Sequence, residues 1–270
     1  MGGIEVNAEL VFDNLVAHRG RALFAPVNAT VAPGTLVAVV GPNGVGKTSL
    51  LTAVIGRGIP RSGRVLFNGK PLGELPTREL ARTVSFVGQD AFASNELYVR
   101  DVVEVGARAG GRAQQAHQVG CALDRLAITH LAHRRYAQLS GGERQLVQVA
   151  RLLAQNSPVM LLDEPVSALD LRHQLRVMQV LGELTRAGHI VIVTMHDLTQ
   201  ARRWADEVAL MIPGHVVFGS PHTILTPAHI RSVYGVSAET FMSPSGTPVI
   251  NPLRVSCPTA LDLSPTPTSP

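Results

Sequence analysis

Gly41-Pro42-Asn43-Gly44-Val45-Gly46-Lys47-Thr48 fits the spacing G-x-x-x-x-G-K-[ST]. Glycines at the ends and in the middle of that run let the backbone curl tightly and aim its N–H groups at phosphate oxygens. A helix opening near Lys47 adds the positive end of its dipole. In such a cradle Lys47 sets a point charge against the β- and γ-phosphates of a nucleotide, and the Thr48 hydroxyl faces Mg²⁺. Ser49 completes the expected nucleotide-binding set. The run follows an apolar strand pattern, Thr35–Val40, and opens a helical one, Lys47–Ile55, which is the context the chemistry requires.

A second stretch, Val159-Met160-Leu161-Leu162-Asp163-Glu164, sets two acids just beyond a buried strand. In open parallel sheets ligands bind outside the carboxyl ends of the strands, so these acids are expected to face the same crevice as the cradle. Asp163 is the natural Mg²⁺ partner through water, and Glu164 is then free to orient and polarise an attacking water. A protein that bound nucleotide purely as a switch has no need of the second acid. A third stretch, Leu139-Ser140-Gly141-Gly142-Glu143-Arg144-Gln145, holds the S-x-x-E capping box of a helix start. Gly141 and Gly142 strip side chains from the new helix end, which makes it a second candidate anion receiver.

The elements that must position these groups alternate for most of the chain. Thr35–Val40, Arg64–Phe67, Thr83–Val87, Val159–Leu162 and Ile190–Thr194 read as strands, with Asn68-Gly69 as a turn. Lys47–Ile55 and Leu171–Arg186 read as helices. The strands are uniformly apolar, as a parallel sheet covered on both faces demands. Between about 91 and 157 apolar residues recur at helical spacing without a convincing strand, so an α/β core with a helical insert is expected. Seven of the last 27 residues are proline among Ser and Thr, which predicts a disordered tail over 244–270.

Composition sets outer bounds. The chain has 270 residues, 45% hydrophobic and 16% charged, enough for one sizeable core and too apolar for general disorder. Cys121 and Cys257 have no partner at metal-binding spacing, which argues against a disulfide framework or a zinc site. A net charge of +4 is spread in small groups and makes no nucleic-acid stripe, so no nucleic-acid partner is expected. No apolar run approaches the ~18 residues of a membrane-spanning helix. Met1–Val6 lack the pattern of a signal peptide, so the expected location is cytoplasmic.

Taken together, the motifs resemble those of the ATP-binding-cassette (ABC) ATPases, in the family's order over about residues 8–240. The phosphate loop is followed by Gln89, similar to the Q-loop, then by LSGGERQ, similar to the family signature. The VMLLDE strand, Ser167-Ala168-Leu169-Asp170 resembling the D-loop, and His196 resembling the switch histidine complete the set. The resemblance implies a P-loop cassette over 8–243: a RecA-like core, an antiparallel β lobe and a helical subdomain. It implies a head-to-tail homodimer, with each ATP held between the cradle of one chain and the Ser140–Glu143 region of the other. That would supply a positive field where no arginine finger is evident. By the same resemblance Gln89 reports Mg²⁺ and the nucleophile to the helical subdomain, His196 contacts the γ-phosphate, and His18 stands near the usual adenine-stacking aromatic.

Within the family, Ser62–Arg82, Val99–Gly111 and Thr226–Val236 resemble ATPases of importers for iron-siderophore, haem and cobalamin. That implies a separate integral-membrane permease, an external solute-binding protein and a place on the cytoplasmic face of the membrane. About Asp90–Val99 would then line a groove for a permease helix. The alternatives are the ATPase of an exporter, a cassette doing mechanical or regulatory work, and a non-hydrolysing cassette. Intact Lys47, Asp163, Glu164 and His196 speak against the last of these.

Overall fold

A computed structural model describes residues 8–56, 61–88, 96–111 and 115–255. The chain opens with β1 (Leu10–Arg19), β2 (Arg21–Ala22) and β3 (Val27–Val31), then crosses into a second sheet as β4 (Leu36–Val40). After α1 (Lys47–Ile55) it returns as β5 (Arg61–Phe67) and β6 (Lys70–Pro71), followed by α2 (Thr77–Thr83) and β7 (Val84–Val87). Three helices come next: α3 (Val99–Gly110), α4 (Gln115–Arg125) and α5 (Gly141–Gln155). The core resumes with β8 (Val159–Leu162), α6 (Leu171–Arg186), β9 (Ile190–Thr194), α7 (Leu198–Trp204), β10 (Glu207–Ile212) and β11 (His215–Gly219). Two short helices, α8 (Pro221–Ile224) and α9 (Pro227–Tyr234), lead to a hairpin of β12 (Val236–Met242) and β13 (Pro248–Val255).

Two sheets form the frame. The first is antiparallel, ordered β2-β1-β5-β6 with β3 also on β1. The second is ordered β11-β10-β4-β9-β8-β7 and is parallel except for its edge strand β11. Its strands divide their side chains between two separate cores. Leu36, Ala38 and Val40 join the cluster that includes α5 and α6, whereas Val37 and Val39 join the one under α1 and the antiparallel sheet. Period-2 alternation with both faces covered explains why these strands read as continuous apolar runs. Asn68 and Gly69 take left-handed φ of 51° and 73° and join β5 to β6, as that pair does in tight hairpins.

The helical insert is locked by close backbone approach. A Cβ on Gly106 would lie 2.0 Å from the Arg151 carbonyl oxygen, and one on Gly110 2.3 Å from that of Gln155. Glycine is thus what allows α3 to press against α5. The insert is tied to the core by Gln155, whose amide donates to the carbonyls of Ala81 (2.6 Å) and Val84 (3.1 Å).

One expectation fails in its extent. The tail predicted from 244 onward contains an ordered strand, β13, paired along β12 from Met242↔Pro248 to Val236↔Val255. Pro248 starts the strand and Pro252 adjoins a register shift, the positions where a missing N–H is tolerated. Ile250, 7% exposed, anchors the strand in the main core. Proline richness hid a strand with one buried anchor, and residues 256–270 lie outside the described part. Among the described residues no helix is long and apolar enough to cross a membrane.

Candidate active site

The phosphate-loop candidate emerges from the end of β4 into α1. Gly41 has φ 153°, and a Cβ there would meet the Met211 carbonyl oxygen at 2.4 Å, so β10 leaves room only for glycine. Gly46, with φ 112°, is the N-cap of α1 and offers no side chain to the helix start. The first-turn N–H groups of α1 therefore have no intrahelical acceptor and no side-chain cap. Lys47 is buried, and its Nζ donates to the carbonyls of Gly41 (2.9 Å) and Pro42 (3.2 Å). Burial pushes its pKa below the usual lysine value, against the pull of the Glu164 and Asp163 carboxylates.

The two acids stand beyond β8, next to this loop. Asp163 is 1% exposed, and its two oxygens accept from the hydroxyls of Thr48 (2.6 Å) and Thr194 (2.6 Å). Parallel strands set side by side make that bridge, because β4, β9 and β8 all deliver their carboxyl ends to one edge. Thr48 and Asp163 together offer hard oxygen donors, a set that fits Mg²⁺, which takes few protein ligands and completes its shell with phosphate and water.

Glu164 has φ 51°, unusual for a residue with a Cβ, and such strain costs on the order of 1–3 kcal/mol. Four hydrogen bonds hold it there. Its N–H donates to Thr194 Oγ1 (2.7 Å), and its carbonyl accepts from Gln145 Nε2 (2.8 Å), Ser167 N (3.3 Å) and Ser167 Oγ (3.1 Å). The carboxylate points at His196, with Oε1 to Nε2 at 2.5 Å. His196 follows β9 and is more exposed than Glu164, with side-chain exposures of 44% and 20%. A carboxylate, an imidazole, an ammonium and a hydroxyl–carboxylate pair thus share one crevice, the constellation expected for hydrolysis of a phosphoanhydride.

Sequence reasoning did not single out Thr194 or Gln145. Thr194 is the one polar residue of the IVIVT strand, and it closes that strand at the ligand-facing edge; that was the available signal. Gln145 belongs to LSGGERQ, but its bond to Glu164 crosses 19 positions and becomes visible only in three dimensions.

Ser140 and Glu143 form the full capping box on α5. Glu143 N donates to Ser140 Oγ (3.3 Å), and Ser140 N donates to a Glu143 carboxylate oxygen (2.8 Å). The backbone N–H of Ser140, then its hydroxyl, hold the Glu143 carboxyl below the usual carboxylate range, with Arg134 adding a smaller pull. Gly141 opens onto free space, whereas a Cβ on Gly142 would come within 2.9 Å of the Ala168 carbonyl oxygen. Among the described residues no hydrogen bond or ion pair joins 140–143 to the loop 41–48 of the same chain. Asp170, at the end of the D-loop-like run, caps α6 by accepting from His173 N (2.9 Å).

Beside the loop lies a cleft of about 470 Å³ lined by Arg21, Ala22, Leu23, Pro42–Val45 and Pro213–Gly214. His18 is not among its lining residues. It pairs opposite Ala22, and its Nε2 lies 3.3 Å from Ser62 Oγ. Gln89, expected to join the site, falls outside the described residues, as does most of the stretch expected to receive a permease helix.

Comparison with known proteins agrees with this geometry. The family described as ABC transporter matches residues 24–167. The chain is 42% identical over 246 residues to the hemin import ATP-binding protein HmuV of Bordetella parapertussis, covering 86% of this chain and 94% of that protein. It is 37% identical over 252 residues to the cobalamin import ATP-binding protein BtuD of Halobacterium salinarum, covering 91% of this chain and 63% of that one. Among solved structures, a chain of a metal-chelate type ABC transporter in an inward-facing conformation superposes with a TM-score of 0.77 at 28% identity, over 92% of this chain and 98% of the other. A bare-capped phosphate loop, a buried Mg²⁺-type acid, a strained glutamate and these matches lead to one conclusion: the chain belongs to the ABC transporter family, as an ATP-binding and ATP-hydrolysing cassette.

Proposed function

We propose that the chain powers the import of a metal chelate of the haem or cobalamin type through a separate membrane permease, as a homodimer on the cytoplasmic face. The identity to hemin and cobalamin import subunits supports the substrate class over an exporter or a purely mechanical role. The observation that carries hydrolysis is the strained, four-bonded Glu164 in contact with His196.

In this reading the triphosphate lies along Gly41–Thr48, against the uncapped N–H groups of α1. Phosphate oxygens replace the neutral carbonyls as acceptors for Lys47, a stronger, charge-assisted pairing. Thr48 and Asp163, with Gln89 by family resemblance, would hold Mg²⁺, which neutralises charge developing on the phosphates. Glu164 takes a proton from water as the water oxygen bonds to the γ-phosphorus. The bond to the β–γ bridging oxygen breaks, leaving ADP and inorganic phosphate. His196 steers the Glu164 carboxylate and reaches toward the γ-phosphate. Ser140, Gly141, Gly142 and Glu143 of a second copy close the site. An external solute-binding protein would deliver the cargo.

The test is Glu164→Gln in the full chain assembled with its permease in vesicles. ATP binding should persist while hydrolysis and haem or cobalamin uptake fall ~100-fold or more, the usual scale of a general base. Hydrolysis at the parent rate would remove Glu164 from the role. Uptake of neither chelate by the parent assembly would remove the substrate class.

A further inference from the structure

Among the described residues that line the cleft beside the phosphate loop there is no aromatic ring and no carboxylate. Pro42–Val45 form one wall, whereas Lys47, Asp163 and Glu164 do not line it. With the γ-phosphate at those three residues, the cleft is the space left for the nucleoside. Its walls are fixed to one another. Leu23 N donates to the Ala17 carbonyl (2.9 Å), Phe24 forms a parallel bridge with Gly214, and Ala25 N donates to the Gly214 carbonyl (2.7 Å). These bonds clamp the segment after β2 to the β10–β11 turn. Leu23 Cδ1 stands 3.6 Å from the place of a Cβ on Gly46, against the phosphate loop. Two side chains of the wall carry polar heads, Arg21 and Asn43. The carbonyls of Gly214 and Pro42 are already engaged, the first by Ala25 N and the second by Lys47 Nζ (3.2 Å) and Val45 N (3.4 Å). Across the turn at Gly20, Arg21 pairs directly opposite Arg19. Like charges so placed repel, and among the described residues the Arg21 guanidinium has no carboxylate or carbonyl partner.

We propose that Arg21 holds the base and sets the specificity of this site, and that through it the chain takes and hydrolyses guanosine as well as adenosine triphosphate. This rests on the reading of Gly41–Thr48 and Glu164 as the hydrolytic site given above. A free, planar guanidinium lies against the π-face of any base. Its N–H fork suits O6 and N7 of guanine, and N7 of adenine as well. Telling two purines apart takes fixed partners along the base edge, and a wall of Ala22, Leu23, Val45 and Pro213 supplies none from its side chains. The bond broken and the water consumed are those of the ATP reaction, with GDP and inorganic phosphate as products.

The experiment is equilibrium binding and steady-state turnover of MgATP and MgGTP on the full-length protein. Kd and kcat/KM for the two should lie within about threefold of each other. Arg21→Ala should raise Kd for both about fivefold with kcat within about twofold, the scale of an exposed cation–π contact. Arg21→Tyr, which restores a flat face, should bring both Kd values back to within about twofold of the parent. Inorganic tripolyphosphate, which has no base, should compete with MgATP equally well in the parent and in Arg21→Ala. A merely structural arginine would lower the melting temperature and leave the Kd of the folded fraction unmoved. That outcome, GTP binding weaker than ATP by ~100-fold, or an equal loss for tripolyphosphate overturns the proposal. Glu164→Gln in parallel keeps the failures apart. If it hydrolyses both nucleotides at the parent rate, the general-base assignment fails, while the two Kd values still decide the base site.

Discussion

Two helix starts, those of α1 and α5, are assigned to the same anion in the proposed dimer and are prepared in opposite ways. α1 begins at Gly46 with no side-chain cap and no acid in its first turn. α5 begins at Ser140 with a complete capping box and Glu143 in its first turn. The orphan N–H groups of α1 have nothing of their own to bond, so a phosphate meets them without displacing anything. At α5 two of those donors are already engaged, and the Glu143 carboxylate offsets part of the dipole. The lesson is that α1 leaves its first-turn donors open, whereas α5 commits two of its own to a cap. In the proposed dimer that asymmetry lets ATP load at α1 before α5 of the second copy closes on it.

The largest break should come from Lys47→Ala, which removes the fixed charge from the bare start. Steady-state kinetics should register a loss of ~100-fold or more in kcat/KM. Ser49→Glu puts an acid at the third helical position, where α5 holds Glu143. It should leave the melting temperature level or slightly raised while weakening MgATP binding about tenfold or more in a titration. If binding were unchanged, the contrast between bare and filled starts would lose its meaning. Ser140→Ala should cost about 1 kcal/mol in chemical denaturation by unmaking the box. It should also lower turnover of mixed dimers in proportion to the sites that receive the altered chain, as the proposed contact across the interface requires. The smallest effect belongs to Glu143→Gln. The Glu143 carboxyl is depressed when folded, so its contribution is present above the ordinary glutamate value near 4.3 and is lost as pH falls through the folded value. Denaturation across acidic pH should show a shallower slope in the glutamine variant.

The site was legible where chemistry is written in consecutive residues. Gly41–Thr48, Asp163-Glu164 and Ser140–Glu143 are runs of consecutive residues, so spacing alone marked them as candidates, although Thr194 and Gln145 set the geometry of Glu164. Thr194 was not legible in that way. Its hydroxyl matters because β9 lies between β4 and β8, and strand order is not written in any local pattern. His18 illustrates the reverse: a position carried over from resemblance pairs with Ser62, while Arg21–Leu23 line the cleft. The C-terminal hairpin was misread for a further reason. Proline content dominated its composition, but register positions that tolerate a missing N–H, and one buried isoleucine, decided its structure.

From sequence alone came the fold family, the candidate phosphate loop, the pair of acids and the capped start of α5, because each is a pattern of residue types within a few positions. Only the tertiary structure decided that Thr194 and Gln145 hold Glu164 in a left-handed conformation, that His196 leans on it, and that Ile250 of the C-terminal hairpin bonds Thr199. The bonds from Gln145, Thr194 and His196 to Glu164 and from Thr199 to Ile250 join positions separated by 19 to 51 residues. They exist because the parallel sheet gathers its strand ends at one edge, and a hydrogen bond depends on distance in space, whatever the distance along the chain.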